Sequence, residues 1–140
     1  MATKLRAELS GKNKYWISKH RYYELKHFCL QYPFWKKAYA ALDDLTIKSP
    51  IIEELTSSSN IPSDPTAKWG IARAYYSEKI NLIEKIAMET DKELYIYILK
   101  AVTEELSYSY LKTKLEIPCG KDMYYDRYRK FFWLLSNERQ

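Results

Sequence analysis

The stretch SYSYLKTKLEIPCGKDMYYDRYRKFFWLLS, residues 107–136, decides the fold of this 140-residue chain. Ser107 is a favourable N-cap residue, so a short helix is predicted from Tyr108 to Leu115. A turn follows at residues 116–120, and a last helix is predicted from Lys121 or Asp122 to Ser136. Two helices joined by a brief turn that contains an apolar residue, here Ile117, form a helix-turn-helix pattern. The core side of the last helix is predicted to carry Tyr124, Tyr128, Phe131 and Leu135.

A long central helix precedes this segment. Asp64 or Ser63 is placed to cap its free amides, and Pro65 suits the first helical position. The helix is predicted to run about 25 residues, to Glu89. Thr90-Asp91 is predicted to cap a further helix. The apolar stripe of the long helix is Trp69, Ala72, Tyr76, Ile80, Ile83 and Ala87, and that of the next helix is Leu94, Ile98, Ala101 and Val102.

Two more helices are predicted near the N-terminus. Ser18 can cap the first, which runs to about Leu30, and Tyr32-Pro33 ends it, because a residue before proline avoids the helical region. Pro33 then suits the first turn of a second helix, which can form a hairpin with the first. The apolar residues of the first helix are Tyr22, Leu25, Phe28 and Cys29, and those of the second are Phe34, Ala38, Tyr39, Ala41 and Leu42.

These elements predict an all-α fold with an N-terminal helical hairpin, a long central helix and a C-terminal helix-turn-helix. Residues 1–17 are predicted to be a basic arm, residues 18–62 the hairpin and a linker, and residues 63–140 the long helix with the helix-turn-helix. Ile51, Ile52 and Leu55 are compatible with one helical turn. The polar run at residues 56–60 has the composition of a solvated linker.

The charges are unevenly distributed. Residues 1–50 hold 10 Lys and Arg against 4 Asp and Glu, residues 51–106 hold 6 against 10, and residues 107–140 hold 7 against 4. Basic ends around an acidic middle indicate a polyanionic partner, most simply nucleic acid. An ordinary basic protein would have the same net charge of +5, so this alternative stays open.

Composition argues against several classes of function. Only 3 glycines are present, and no nucleotide-binding glycine motif occurs. His20 and His27 are seven residues apart, which is not the zinc spacing of i and i+4, and Cys29 and Cys119 are isolated. We therefore expect no enzyme activity, no metal and no cofactor. No apolar run approaches the roughly 20 residues of a membrane span and no signal peptide is evident, so we expect a cytoplasmic protein without membrane partners.

The last helix supplies the candidate DNA-binding residues. Its core stripe leaves Lys121, Asp122, Tyr125, Asp126 and Arg129 on the opposite side, where a helix in the major groove meets base edges. Arg129 can pair with guanine, and Tyr125 can contact a thymine methyl group or a phosphate. Asp122 and Asp126 can accept from cytosine amino groups or orient the arginines. Phosphate contacts, which give affinity without sequence information, are predicted for Arg127, Lys130, Lys112 and Lys114.

The order of these segments resembles the RinA/ArpU group of phage and prophage transcriptional regulators. The resemblance rests on the Tyr32-Pro33 step, on Ser63-Asp64-Pro65-Thr66 leading into a long helix, and on residues 107–130, which resemble DNA-binding region four of sigma factors. It covers most of residues 18–136. It implies activation of phage genes in the host cytoplasm through promoter DNA and contacts with RNA polymerase. The chain departs from the family at Glu116, where glycine is usual, at Asp126, where arginine is common, and in a turn about two residues longer.

Two alternatives remain at this point. The last two helices also fit the closing hairpin of a helical bundle with a solvated charged face. The adjacent aromatic pairs Tyr22-Tyr23, Phe34-Trp35 and Phe132-Trp133 fit either a wide aromatic core or an interface for RNA polymerase or a host factor, because neighbours on a helix cannot both face one narrow core. If the chain binds duplex DNA, we expect a homodimer, since one short recognition helix contacts too few base pairs.

Overall fold

The computed structural model describes residues 13–43 and 65–139, and every regular element within those ranges is an α-helix. The predicted all-helical fold class is therefore confirmed. Four predicted features lie outside these ranges: the linker, the helical turn at residues 51–55, the capping pair at residues 63–64 and the arm up to residue 12. In chain order the helices are α1 (Lys19–Leu30), α2 (Tyr32–Asp43), α3 (Pro65–Thr90), α4 (Tyr95–Glu104), α5 (Tyr108–Lys114) and α6 (Lys121–Glu138).

Contacts between Cα atoms divide the described chain into two compact units. The first unit consists of residues 13–31 and 83–139, and the second of residues 32–43 and 65–82. In the first unit α1 packs against α4 and α6, and α4 also contacts α5 and α6. The pairing of α1 with α2 as a hairpin and the domain boundary between residues 62 and 63 stay predictions.

Helix α1 begins and ends where the sequence predicts. The Ser18 hydroxyl accepts a hydrogen bond of 3.2 Å from the backbone N–H of Arg21, an N-cap of the kind that contributes about 1 kcal/mol. The helix ends at Leu30, just before the Tyr32-Pro33 step. The four side chains predicted to face the core, Tyr22, Leu25, Phe28 and Cys29, are all buried.

The burial pattern of α2 contradicts one prediction, the placement of Phe34 in the core. Phe34, which the predicted apolar series includes, is 55% exposed, whereas its neighbour Trp35 is 3% exposed. Trp35, Ala38 and Leu42 form the buried stripe, with the spacing of three and four that a helix face requires. Placing Phe34 in the core stripe is therefore wrong. Either member of an adjacent aromatic pair fits a period of 3.6, and the surrounding packing selects one.

The long helix α3 follows its predicted stripe closely. It begins at Pro65 and ends at Thr90, whose hydroxyl donates a hydrogen bond of 2.7 Å to the carbonyl of Ile86. Trp69 is half-buried, and its indole N–H donates to the carbonyl of Leu42 at 3.0 Å, within the second unit. The buried residues of the helix are Ala72, Tyr76, Ile80, Ile83, Ile86 and Ala87, together with Thr90.

The chain just before α1 lies against α6 in the first unit. Ile17 is 7% exposed, and the Tyr15 ring lies 5.5 Å from the Trp133 ring. The described end of the predicted basic arm is therefore held by apolar and aromatic packing.

Candidate nucleic-acid interface

Hydrogen bonds define both ends of α5, and those at its C-terminal end also hold the start of the turn that leads to α6. Ser107 caps α5 by accepting from the backbone N–H of Tyr110 at 3.1 Å. At the other end of α5 the carbonyl of Leu111 accepts from the N–H groups of Leu115, at 3.2 Å, and Ile117, at 3.0 Å. Ile117 is 1% exposed, so the apolar residue of the predicted turn is a core residue. The connection between the two helices is therefore a packed turn.

Glu116 has the backbone conformation that usually selects glycine. Its φ is 55°, in the left-handed region that L-residues other than glycine, asparagine and aspartate seldom adopt. The sequence predicts a departure from the glycine of RinA/ArpU-type turns at this position. The residue type differs from that expectation, whereas the backbone has the conformation that glycine would favour.

Helix α6 is joined to its surroundings by tyrosine contacts. The Tyr108 hydroxyl donates to the carbonyl of Cys119 at 2.8 Å, which ties the turn to α5. The hydroxyls of Tyr22 and Tyr128 are 3.0 Å apart and hydrogen-bonded, which ties α6 to α1. Burial raises the pKa of both Tyr124 and Tyr128, so these phenols stay protonated at neutral pH. The fully buried side chains of α6 are Tyr124, Phe131, Phe132 and Leu135.

The C-terminal end of α6 is capped by a side chain of α1. The Arg21 guanidinium donates to the Ser136 hydroxyl and to the Ser136 carbonyl, both at 3.0 Å, and also to the carbonyl of Arg139. It pairs with Glu24 at 2.9 Å as well. A cation at a helix C-terminus satisfies free carbonyls and complements the helix dipole. Arg21 therefore fixes the far end of the candidate recognition helix.

Arg127, predicted to contact phosphate, is engaged within the protein. Its guanidinium lies 2.7 Å from a carboxylate oxygen of Asp91 and 2.5 Å from one of Asp126. Asp91 also accepts from the backbone N–H groups of Glu93 at 2.8 Å and Leu94 at 2.9 Å. It therefore joins the turn before α4 to α6. Whether Arg127 also contacts phosphate stays a prediction.

The pKa shifts of Asp91 and Arg127 both favour the charged form of the group. Partial burial acts to raise the pKa of Asp91, but the hydrogen bonds from Arg127, Leu94 and Glu93 outweigh it and hold that pKa below its ordinary value. The hydrogen bond to Asp91 is the main reason why the pKa of Arg127 is raised. Both groups are therefore charged at neutral pH. The sequence marks Asp91 only as part of a cap, because nothing local indicates a partner 36 residues away.

The other predicted cations are exposed or half-buried and have no ion-pair partner among the described residues. Lys112, Lys114 and Lys121 are exposed, and Arg129 and Lys130 are half-buried. In the part of the chain that the structure describes, none of these five forms an ion pair or a side-chain hydrogen bond. Asp122 is exposed, while Tyr125 and Asp126 are half-buried. Within residues 13–43 and 65–139, the two helices thus carry a set of positive charges without ion-pair partners.

The histidines and cysteines do not form a common site in the described part of the chain. His20 and His27 are exposed on α1. Burial raises the pKa of the Cys29 thiol, and partial burial likewise raises that of Cys119. Residues 13–43 and 65–139 contain no group of three His, Cys, Asp or Glu side chains arranged to hold a metal ion. None of the helices in those ranges is both long and apolar enough to cross a membrane.

Comparison with known proteins gives no relative. No family model, no curated protein and no solved structure matches this chain.

Proposed function

We propose that this protein is a transcriptional regulator that binds duplex DNA through the helix-turn-helix formed by α5 and α6. The main support is the packed turn, in which Ile117 is buried and Glu116 adopts the left-handed conformation, between two helices whose cations, Arg127 apart, form no ion pair with any described residue. A scaffold hairpin with a solvated charged face would share this structure but would not bind duplex DNA. The resemblance to RinA/ArpU regulators extends the proposal to activation of phage or prophage genes, with RNA polymerase as a second partner and a homodimer as the binding species.

The roles of individual side chains follow from their surroundings. Arg129, which has no ion-pair partner in the described ranges, is proposed to contact a guanine base edge. Lys112, Lys114, Lys121 and Lys130 are proposed to contact phosphates. Asp126 pairs with Arg127, which favours a role in orienting that guanidinium. We propose no catalytic role for any of these residues.

The proposal is tested by selecting bound duplexes from random DNA at near-physiological salt and titrating the enriched sequence. Arg129→Ala should lower the preference over random DNA by about 1–3 kcal/mol. Lys130→Ala should weaken binding to all duplexes alike and reduce the salt dependence by about one phosphate contact. Lys92→Ala is the control, because Lys92 is exposed in the same unit but outside α5 and α6. Absence of any enriched sequence, or equal effects of Arg129→Ala on selected and random DNA, would contradict the base-contacting role.

Two exposed aromatic residues and an exposed isoleucine support a second candidate, a protein-binding module. In the second unit Phe34 is 55%, Tyr75 41% and Ile71 36% exposed, although apolar side chains of this size are usually buried. A partner such as RNA polymerase or a host factor would bind there by apolar contact. The salt dependence of binding distinguishes the two functions. DNA binding through about six phosphates should weaken roughly a thousandfold between 50 and 200 mM salt, whereas binding to an aromatic surface should change little.

A further inference from the structure

A tyrosine-lined cleft of about 660 Å³ lies in the first unit, next to the helix-turn-helix. Its volume falls in the range of about 300–1,000 Å³ that is typical of small-molecule sites. Leu30, Ala101, Val102 and Leu106 supply apolar surface to its lining. Five tyrosines complete much of the wall: Tyr108 and Tyr110 from α5, and Tyr124, Tyr125 and Tyr128 from α6.

The rings of the cleft are arranged around Tyr124. Its ring centroid lies 5.5 Å from that of Tyr108, 5.0 Å from that of Tyr125 and 5.8 Å from that of Tyr128. Aromatic rings at such separations favour edge and offset contacts, and an added ring in the cleft would make the same kind of contact. The lining therefore favours a ligand with an aromatic body.

Tyr124 also contributes a buried hydroxyl that has no hydrogen-bond partner in the part of the chain that the structure describes. Tyr124 is 1% exposed, yet its hydroxyl forms no hydrogen bond with any residue in the ranges that the structure describes. By contrast, the hydroxyls of Tyr108 and Tyr128 bond to Cys119 and Tyr22. A buried polar group without a partner is unfavourable, and a polar ligand in the cleft would relieve that cost.

The cleft also carries one positive and one negative group side by side. The Lys26 ammonium and the Glu105 carboxylate, both in the lining, are 3.0 Å apart. Their side chains are 18% and 59% exposed, so both reach the cleft from a half-buried or exposed position. An ammonium has three donors and a carboxylate about four acceptor sites, so each can hold a second partner without breaking the first bond.

From these features we propose that the cleft is a binding site for a zwitterionic aromatic compound of the α-amino-acid class. The aromatic ring lies among the five tyrosines, the ligand carboxylate accepts from Lys26, and the ligand ammonium donates to Glu105. The Tyr124 hydroxyl bonds to a polar group of the ligand. The cleft shares Tyr125 with the candidate DNA-contacting residues, but the test of ligand binding uses no DNA.

The test is calorimetric titration of the full chain with L-tryptophan and two analogues that each lack one charge. Tryptamine lacks the carboxylate and indole-3-propionate lacks the ammonium. L-tryptophan should bind in the sub-millimolar to millimolar range and about tenfold more tightly than either analogue, because each charged contact contributes about one order of magnitude. Equal binding of tryptamine or of indole-3-propionate to the unaltered protein, or no saturable binding of tryptophan in the millimolar range, overturns the proposal.

Two charge variants locate the ligand. Lys26→Met should bind tryptophan no better than tryptamine, and Glu105→Gln should bind it no better than indole-3-propionate. Lys85→Met, which breaks the exposed ion pair of 3.3 Å with Glu138 outside the cleft, should leave the order of affinities unchanged. Tyr124→Phe removes a single hydroxyl and keeps the ring, and it should weaken tryptophan binding several-fold. If Lys26→Met and Tyr124→Phe both bind tryptophan like the unaltered protein, the ligand lies elsewhere and the proposal fails.

Discussion

Replacing Glu116 by glycine should stabilise this protein, although most substitutions destabilise proteins. Glu116 has φ 55°, and a left-handed conformation costs an L-residue about 1–2 kcal/mol. Glycine removes that cost but loses more conformational freedom on folding, which offsets about 0.5–1 kcal/mol. The Glu116 side chain is exposed and forms no hydrogen bond or ion pair within residues 13–43 and 65–139, so nothing else is lost. The net gain should be about 0.5–1 kcal/mol.

Chemical denaturation measures this gain directly. For Glu116→Gly the midpoint should rise with an unchanged slope, and the melting temperature should rise by about 2–4 °C. Glu78→Gly is the matched control, because Glu78 is also exposed but lies within the regular part of α3. There the same substitution should destabilise by about 1 kcal/mol.

The two variants should therefore shift the free energy of unfolding in opposite directions. If Glu116→Gly destabilises as much as Glu78→Gly, the turn does not hold a left-handed residue at position 116. The correspondence with a helix-turn-helix turn would then lose its main backbone evidence.

Two further predictions concern side chains at α6. Tyr128→Phe should destabilise the protein by about 1 kcal/mol, because it removes the hydrogen bond of 3.0 Å to Tyr22. Tyr124→Phe should stabilise it by about 1 kcal/mol, because it removes a buried hydroxyl without a partner in the described ranges. Equal effects of the two substitutions in thermal unfolding would contradict this assignment of the hydroxyls. Asp91→Asn should destabilise the protein at pH 7, because a carboxyl group whose pKa is lowered in the folded state stabilises the fold above its unfolded pKa. The difference in unfolding free energy from the unaltered protein should shrink below about pH 4, since this stabilisation is lost as the pH falls through the folded pKa. A difference that stays constant from pH 7 to pH 3 would show that the Asp91 charge contributes nothing.

The ion pairs around α6 affect how much each cation is expected to contribute to the proposed DNA affinity. Arg127 is held by Asp91 and Asp126, while Arg129 and Lys130 have no such partners in the described part of the chain. A cation that is already paired gains less from a phosphate than a free one, because the first pair must be weakened. We therefore expect substitutions at Arg129 and Lys130 to change DNA affinity more than Arg127→Ala does at equal stability.

The sequence alone determined most of the helices and their limits. Ser18 and Ser107 mark N-caps, and Pro33 and Pro65 mark first turns, because these effects depend only on neighbouring residues. The apolar stripes of α1 and α3 were also predicted, because helical periodicity is a local property. The two helices of residues 107–136 and the turn between them were also predicted from local signals, whereas the burial of Ile117, the apolar residue of that turn, is a finding of the structure.

Only the tertiary structure decided which groups meet across the chain. Arg21 lies against the end of α6, 115 residues away, and Asp91 meets Arg127 across 36 residues. The cleft brings Lys26 of α1 to Glu105, just beyond α4, and to the tyrosines of α5 and α6. Periodicity states which side of a helix is apolar, but it does not state which other helix covers that side. Packing selects these partners, and it also selects Trp35 over Phe34 for the core.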